Sequence, residues 1–530
     1  MAAQHDAVIV GAGHNGLVAA NLLADAGWDV LVLEHQDRAG GAIRSDGSLH
    51  PGFTTDWFSA FYPFAVGSPI LHSLDLDHFG LRWSHAPTVL AHLLPDGRSA
   101  VLSRDLATTA ASLDAFAPGD GAAWCALVAE YERIREPLLR ALFTPFPPVR
   151  AGLRLAKAFG TADLLRFMRF AVQSVRRMGD ERFTGAGAPL LLAGNALHSD
   201  LGPDIPGSAI YGWLLCMLGQ TVGFPVPVGG SSAIPDALVA RFESLGGCVR
   251  TSAEVTSIEI SNGHATGIRL GDGERITTST VLADVAAPHL YRNLIGEQNL
   301  PRRLVRDLDN FQWDASTLKV NWALSRPIPW TAADAVGAGT VHLAVDMNGL
   351  SRYATALSTK EMPQDPFLLL GQMTVADRTR SPHGTESVWA YTHVPQGPDF
   401  DAETIAAQVG RIEAVVERHA PGFTDSVLAR RVQSPTDLEG SDQNLIGGAV
   451  AGGTANIYQQ LVFRPVPGLG RAETPVDGVY LAGAGAHPGG GVHGGPGSNA
   501  ALAALRRSGR GGVVRRRMID AMLRRIYPPD

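Results

Sequence analysis

The sequence predicts an α/β fold: a Rossmann-type dinucleotide-binding domain interleaved with an α+β domain that carries a mixed sheet and a helical subregion. Three observations predict it. A strand, a Gly-x-Gly-x-x-Gly turn, a helix and a second strand follow one another within residues 6–34. Another strand, glycine-rich turn and helix close the chain at 479–505. Between these ends, strand-like runs and amphipathic helices alternate, so one domain drawn from both termini must enclose the other. At 530 residues the chain has room for roughly three to four domain equivalents.

The first unit is the most specific. Asp6–Val10 reads as a buried strand, Gly11-Ala12-Gly13-His14-Asn15-Gly16 follows at once, and Leu17 to Ala26 reads as a helix stopped by Gly27. A second apolar strand, Val30 to Leu33, ends in Glu34 and His35. This is the βαβ dinucleotide fingerprint. Gly11 permits the tight turn, Gly13 lets the backbone approach a pyrophosphate, and Gly16 lets helix and strand pack closely. The helix N-terminus offers free N–H groups and a positive dipole to that pyrophosphate. Glu34 stands where a carboxylate accepts from a ribose hydroxyl.

Asp37-Arg38-Ala39-Gly40-Gly41-Ala42-Ile43-Arg44 follows directly. A glycine pair flanked by arginines just past the ribose acid resembles the second FAD signature of the flavin amine oxidase and phytoene desaturase superfamily. Gly40 and Gly41 allow a close backbone pass along an extended diphosphate, and Arg38 or Arg44 can pair with phosphates or pack beside the flavin.

In the middle, Pro227-Val228-Gly229-Gly230 precedes a helix over Ile234 to Leu245. Strands follow at 248–250, 255–260 and 268–270, and 281–284 returns to the first domain. At the far end, the strand Val479 to Leu481 runs into Ala-Gly-Ala-Gly-Ala-His-Pro-Gly-Gly-Gly-Val-His, with a helix starting near Ser498-Asn499. This stretch looks like the carboxy-terminal FAD motif of the carotenoid desaturases. The whole chain is similar to phytoene desaturase-like proteins, a group that takes in desaturase-type carotene ketolases and the pyridine nucleotide-disulfide oxidoreductase domain-containing protein 2 group. The resemblance implies a GR2-like FAD domain, with Val255 touching the adenine side through its backbone and Gly485 and Val492 at the flavin end. The run Asp56-Trp57-Phe58-Ser59-Ala60-Phe61-Tyr62 departs from the family pattern. Its rings either narrow a long tunnel, line an apolar pocket or belong to the core.

The cofactor contacts expected are therefore Gly11, Gly13, His14, Asn15, Gly16, Glu34, His35, Arg38, Gly40, Gly41, Ala42, Arg44, Val255, Gly485 and Val492. His487 and His493 flank the glycine triplet, and either could serve as a base or donate to a substrate oxygen; Asp56 and Asp442 are weaker candidates. No metal site is expected, because the three cysteines form no Cys-x-x-Cys pair.

The expected domain organisation is FAD-binding at 1–85, 226–295 and 441–510, substrate domain at 86–225 and 296–440, and a basic tail at 511–530. Within the substrate domain, strands are expected at 318–324, 341–345, 367–375 and 388–393, followed by a helix through Ile405 to Val416. The broken apolar stretch Ile205 to Gly230 either lines the substrate chamber or fills core.

A net charge of −7 hides two basic segments. Residues 149–182 hold eight Arg/Lys against three Asp/Glu, and 506–530 hold eight Arg against two Asp. An acidic body argues against nucleic acid and leaves anionic lipid open. Residues 162–178 read as one amphipathic helix, with Leu164, Leu165, Met168, Val172 and Val175 on one face. Either a membrane contact or simple packing on the core would account for it. No basic region precedes the first apolar run, so a cytoplasmic location is expected, with a peripheral membrane contact open.

The expected activity is an FAD-dependent oxidoreductase that removes hydride from a C–H of an apolar polyene- or terpenoid-like substrate. With no second dinucleotide unit in 100–470, the expected electron acceptor is O2 or a quinone. The alternatives are a desaturase-like ketolase or isomerase, a flavin amine oxidase, and a non-catalytic flavoprotein that docks on membranes. Residues 483–499 hold no aromatic, which weighs against the amine oxidase.

Overall fold

The computed structural model describes residues 5–397 and 400–528. The two chain ends meet in one parallel sheet. Its strand order is 479–481, 281–283, 7–10, 30–33 and 248–250, with Val8 opposite Val281 and Leu31, and Val281 opposite Val479. The strands are short; all but the edge strand 248–250 are fully buried and, Tyr480 apart, built of Val, Ile, Leu and Ala, which suits a sheet covered by helices on both sides. Helix His14–Asp25 covers one face beside helices Ala233–Ser244 and Gly495–Ser508. The terminal helix starts three residues before the expected Ser498, behind Gly494 in the left-handed conformation. At the helix crossing a Cβ on Gly497 would lie 1.9 Å from the Asn15 carbonyl oxygen, so glycine there sets how closely the two ends clasp. An antiparallel trio, 255–261, 264–270 and 275–277, caps the other face.

The second domain is a seven-stranded mixed sheet in the order 427–433, 316–324, 386–394, 368–372, 338–343, 88–93 and 99–102. All neighbours are antiparallel except 338–343 with 88–93. The expected strand over 367–375 stops at Gln372, and a short helix, Met373–Ala376, takes its place. Helix Ala402–His419 covers one face, burying Val409, Ile412 and Val416. The other face packs against helices Gly187–Ala196 and Ser208–Thr221, both buried almost all round.

The single helix expected over 162–178 is two, Thr161–Ala171 and Val175–Arg182, parted where the Ser174 hydroxyl caps the Arg177 amide. Only part of the apolar stripe packs on the core, through the fully buried Val175. Leu165, Met168 and Val172 are more than half exposed, and the first helix anchors itself through Phe167 and Phe170 against Trp213. The Arg-rich end forms helix Gly512–Ile526, with Ile519, Leu523 and Tyr527 buried and Arg516 bonded to the carbonyls of Thr474 and Pro475. No described helix is long and apolar enough to cross a membrane.

Candidate functional site

A cavity of about 740 Å³ runs between the two domains. That is the size range of pockets that enclose most of a sizeable ligand. Of the expected cofactor contacts, Gly11, Gly13, His14, Asn15, Glu34, His35, Arg38, Gly41, Ala42, Arg44, Val255, Gly485 and Val492 line it; Gly16 and Gly40 do not.

The two exceptions have structural causes. A Cβ on Gly16 would sit 2.2 Å from the Gly11 carbonyl oxygen, so this residue lets the helix start directly above the turn. A Cβ on Gly40 would meet the Ile43 carbonyl at 2.7 Å, and the Gly40 amide donates to the Ala12 carbonyl, tying the second signature to the first. Gly13 lines the cavity and serves a second purpose as well. What its missing Cβ makes room for is the Asp284 carboxylate, 2.5 Å away. Asp284, at the end of strand 281–283, accepts from the Gly16 amide at 2.8 Å and so occupies one of the free N–H groups at the helix start. Burial, with Asp442 and Glu34 close by, pushes its carboxyl up to about 7. The sequence pattern carried no signal for it, because the contact joins residues 268 apart.

Glu34 is buried and already employed: one oxygen accepts the Ala12 amide at 2.7 Å and the other the Gln36 amide at 2.8 Å. Each carboxylate oxygen keeps a lone pair for a further donor such as a ribose hydroxyl. Asn15 Oδ1 is buried without a partner among the described residues. The helix's own first turn carries no acidic residue, and Gly11, Gly13, His14 and Asn15 at its start line the cavity, which fits a dinucleotide diphosphate. Arg44 lies over the rings of Trp57 and Phe58 at 4.6 and 5.5 Å, a stacked position that leaves its charge beside the cavity.

Beyond the cradle the walls become apolar. Phe58, Phe61, Tyr62 and Phe64 from the departing aromatic run and its extension meet Ile210, Leu214 and Phe224 from the Ile205 to Gly230 stretch. Asp56, from the same run, is not in the cavity; it is fully buried, paired with Arg380 at 3.0 Å and bonded to the Ser231 amide. Asp442 does line the cavity, and burial raises its carboxyl.

His487 and His493 both line the cavity, and burial pushes them down to about 4 and about 3. They are neutral at physiological pH. His493 Nδ1 accepts from the Gly495 amide at 3.0 Å, and its ring sits between Phe64 and Phe143, so it orders the start of the terminal helix. His487 Nε2 is buried and unpartnered among the described residues.

The residue the sequence reading missed is Lys319. It sits in strand Ser316–Leu324, every residue of which is buried, and it reaches the cavity. Its Nζ donates to the carbonyls of Asp56 at 2.6 Å and Phe58 at 2.8 Å. Burial lowers the ammonium from 10.5 to about 7, partly offset by Asp56. A lone charged residue inside that strand was the available signal.

Residues 16–498 match the family described as flavin containing amine oxidoreductase. The mouse protein described as pyridine nucleotide-disulfide oxidoreductase domain-containing protein 2 is 29% identical, over 95% of this chain and 94% of that protein. The neurosporene-forming phytoene desaturase of Rhodobacter capsulatus is 28% identical, over 92% of this chain and 91% of its own length. Among solved structures, an oxidoreductase from Methanosarcina mazei superimposes with a TM-score of 0.63 at 17% identity, covering 95% of this chain and all of that one. Putrescine oxidase superimposes with a TM-score of 0.61 at 17% identity, covering 95% of this chain and 98% of that one. These two likenesses speak for the fold.

Proposed function

The chain belongs to the flavin containing amine oxidoreductase family and is an FAD-dependent oxidoreductase, and from that premise we propose that it removes hydride from a C–H bond of an apolar, polyene- or terpenoid-like substrate. The observation that carries this reading is the continuity of the cavity, which passes from the dinucleotide cradle into a chamber walled by Phe58, Phe61, Phe64, Ile210, Leu214 and Phe224. FAD when bound supplies a two-electron acceptor for hydride. The chain's own work is then positional. Gly11, Gly13 and the helix start at His14 hold the diphosphate, Glu34 the ribose, and Gly41 to Arg44 with Gly485 to Val492 the remaining length. The aromatic walls exclude water and hold the substrate chain in place, the main contribution a protein makes to this chemistry.

Lys319 is the group best placed to take up a proton inside the chamber. With its ammonium lowered to about 7 it is half neutral near physiological pH, where His487 and His493 are weaker bases. O2 or a quinone would receive the electrons, since neither needs a second nucleotide-binding unit.

In the same reading the substrate is delivered from a membrane surface. Val149, Leu153, Leu165 and Met168 are exposed on consecutive helices, with Arg150, Arg154, Lys157 and Arg166 beside them in sequence. Ala171, Ile457 and Leu461 reach the cavity, and the last two are exposed as well. Apolar side chains mixed with basic ones suit an anionic lipid interface.

The test is an anaerobic titration of the flavin-loaded protein, following absorbance near the flavin band with polyenes, amines and hydroxylated lipids. Bleaching by polyenes or isoprenoids is expected. Bleaching by amines alone would replace this reading with amine oxidation, and persistence of oxidised flavin across the whole panel would refute catalysis.

A further inference from the structure

The chamber wall formed by helices Gly187–Ala196 and Ser208–Thr221 is largely apolar, with Asn195, Ser199 and Tyr211 among its polar members, and it carries a histidine group that the reaction above does not use. His198 follows the first helix and lines the cavity beside Phe224, whose ring centroid is 6.1 Å away. Its Nε2 lies 2.9 Å from Nε2 of His342, which is completely buried in strand Ala338–Leu343. His342 stands directly opposite His92 on the neighbouring parallel strand, and the two rings meet edge to face at 5.5 Å. Gly194 makes room for the pair: a Cβ there would be 2.4 Å from His342 Nδ1 and 3.0 Å from His92 Nδ1.

The hydrogen bonding sets the tautomer of His198. A neutral imidazole has one N–H and one bare nitrogen. His342 Nδ1 is buried with no partner among the described residues. A buried orphaned N–H is rarer than a buried orphaned acceptor, so His342 carries its proton on Nε2 and donates it to His198. His198 Nε2 is then the acceptor, and its proton is on Nδ1, which has no hydrogen-bond partner among the described residues. Burial holds His198 neutral, down to about 3, so this donor is uncharged throughout the working range.

We propose that His198 Nδ1–H is a specificity-determining donor for an uncharged oxygen, a hydroxyl or carbonyl, carried on an otherwise apolar chain, so that the substrate is a long-chain amphiphile rather than a plain hydrocarbon. This rests on the chamber assigned above. A neutral donor rewards a neutral oxygen and itself brings no charge to offset the desolvation of a carboxylate or an ammonium. His342 is the positioning residue that fixes which nitrogen donates, and His92 packs behind it.

The test compares two C30 isoprenoids, squalene and hexaprenol, with the FAD-loaded protein in detergent. Dissociation constants are read from the perturbation of the flavin absorbance, with no turnover needed. Wild type is expected to bind hexaprenol about 2- to 10-fold more tightly than squalene, the span of one neutral hydrogen bond. His198→Leu should bind squalene as before and lose the preference, and His198→Gln, which keeps an N–H, should retain part of it. Should His198→Leu fail to hold FAD, His198→Ala, which also lacks a donor, serves the same comparison. Equal binding of the two compounds by wild type, no binding of hexaprenol, or a preference that survives in His198→Leu would overturn the proposal. Anaerobic bleaching is scored separately: a preference without bleaching refutes the hydride-transfer reading and keeps this one, and bleaching without a preference does the reverse.

Discussion

Replacing Lys319 by Met leaves a side chain of similar length in the wall and removes the charge. The ammonium falls from 10.5 to about 7 on folding because burial penalises the charged form. Between those values the unfolded chain binds more protons than the folded one, so the wild type gains stability as pH rises. The whole displacement corresponds to roughly 5 kcal/mol, of which about 3 kcal/mol falls between pH 6 and pH 9. Below pH 7 the folded protein carries the cation and relies on the carbonyls of Asp56 and Phe58 to hold it. Lys319→Met lacks this term. The unfolding free energy of wild type minus that of the variant, measured in urea at several pH values, should therefore climb by about 3 kcal/mol from pH 6 to pH 9. The rate of anaerobic flavin reduction should rise over the same range in wild type, with an apparent pKa near 7, and lose that rise in the variant. A flat difference curve would show that Lys319 is solvated like a surface lysine, and the argument for it as the chamber's base would fail.

Glu34→Ala should weaken FAD binding by about 1–3 kcal/mol in a flavin titration, as expected when hydrogen bonds to a charged group are lost; unchanged retention would remove Glu34 from the ribose role. Arg380→Met leaves Asp56 buried without its partner and should cost about 3–5 kcal/mol of stability in urea unfolding, since a lone buried charge is far worse than none. A smaller loss would refute the weight given to this buried pair. The double variant Leu153→Asp, Leu165→Asp should abolish co-sedimentation with vesicles containing phosphatidylserine while leaving bound FAD unchanged; sedimentation at the wild-type level would remove the lipid contact.

Local signals were legible wherever one segment does its own work. The strand, turn and helix at 7–25, the second strand to Glu34 and the strand at 479–481 each announce themselves through β-branched runs, glycines and caps, because backbone geometry at those points is decided by residues a few positions apart. Errors cluster where neighbours intervene. The strand over 367–375 ends early because Met373–Ala376 coils into a helix whose Thr374 amide is taken by Glu386. The helix over 162–178 breaks at a serine cap, and the middle of its apolar stripe faces outward while Val175, Phe167 and Phe170 supply the anchoring. Amphipathic periodicity identifies a stripe without saying what covers it.

Read in order, the residues suffice for the nucleotide cradle and for the pairing of the two ends around it, because that motif is contiguous and its glycines have no substitute. They do not suffice for Asp284 beneath Gly13 and Gly16, for Lys319 in the chamber wall, or for the His198, His342 and His92 stack. Those groups come from strands and helices far apart in the chain. Their charge states and tautomers follow from desolvation and from the few partners left within reach once the sheets have closed, and neither quantity exists until the domains pack.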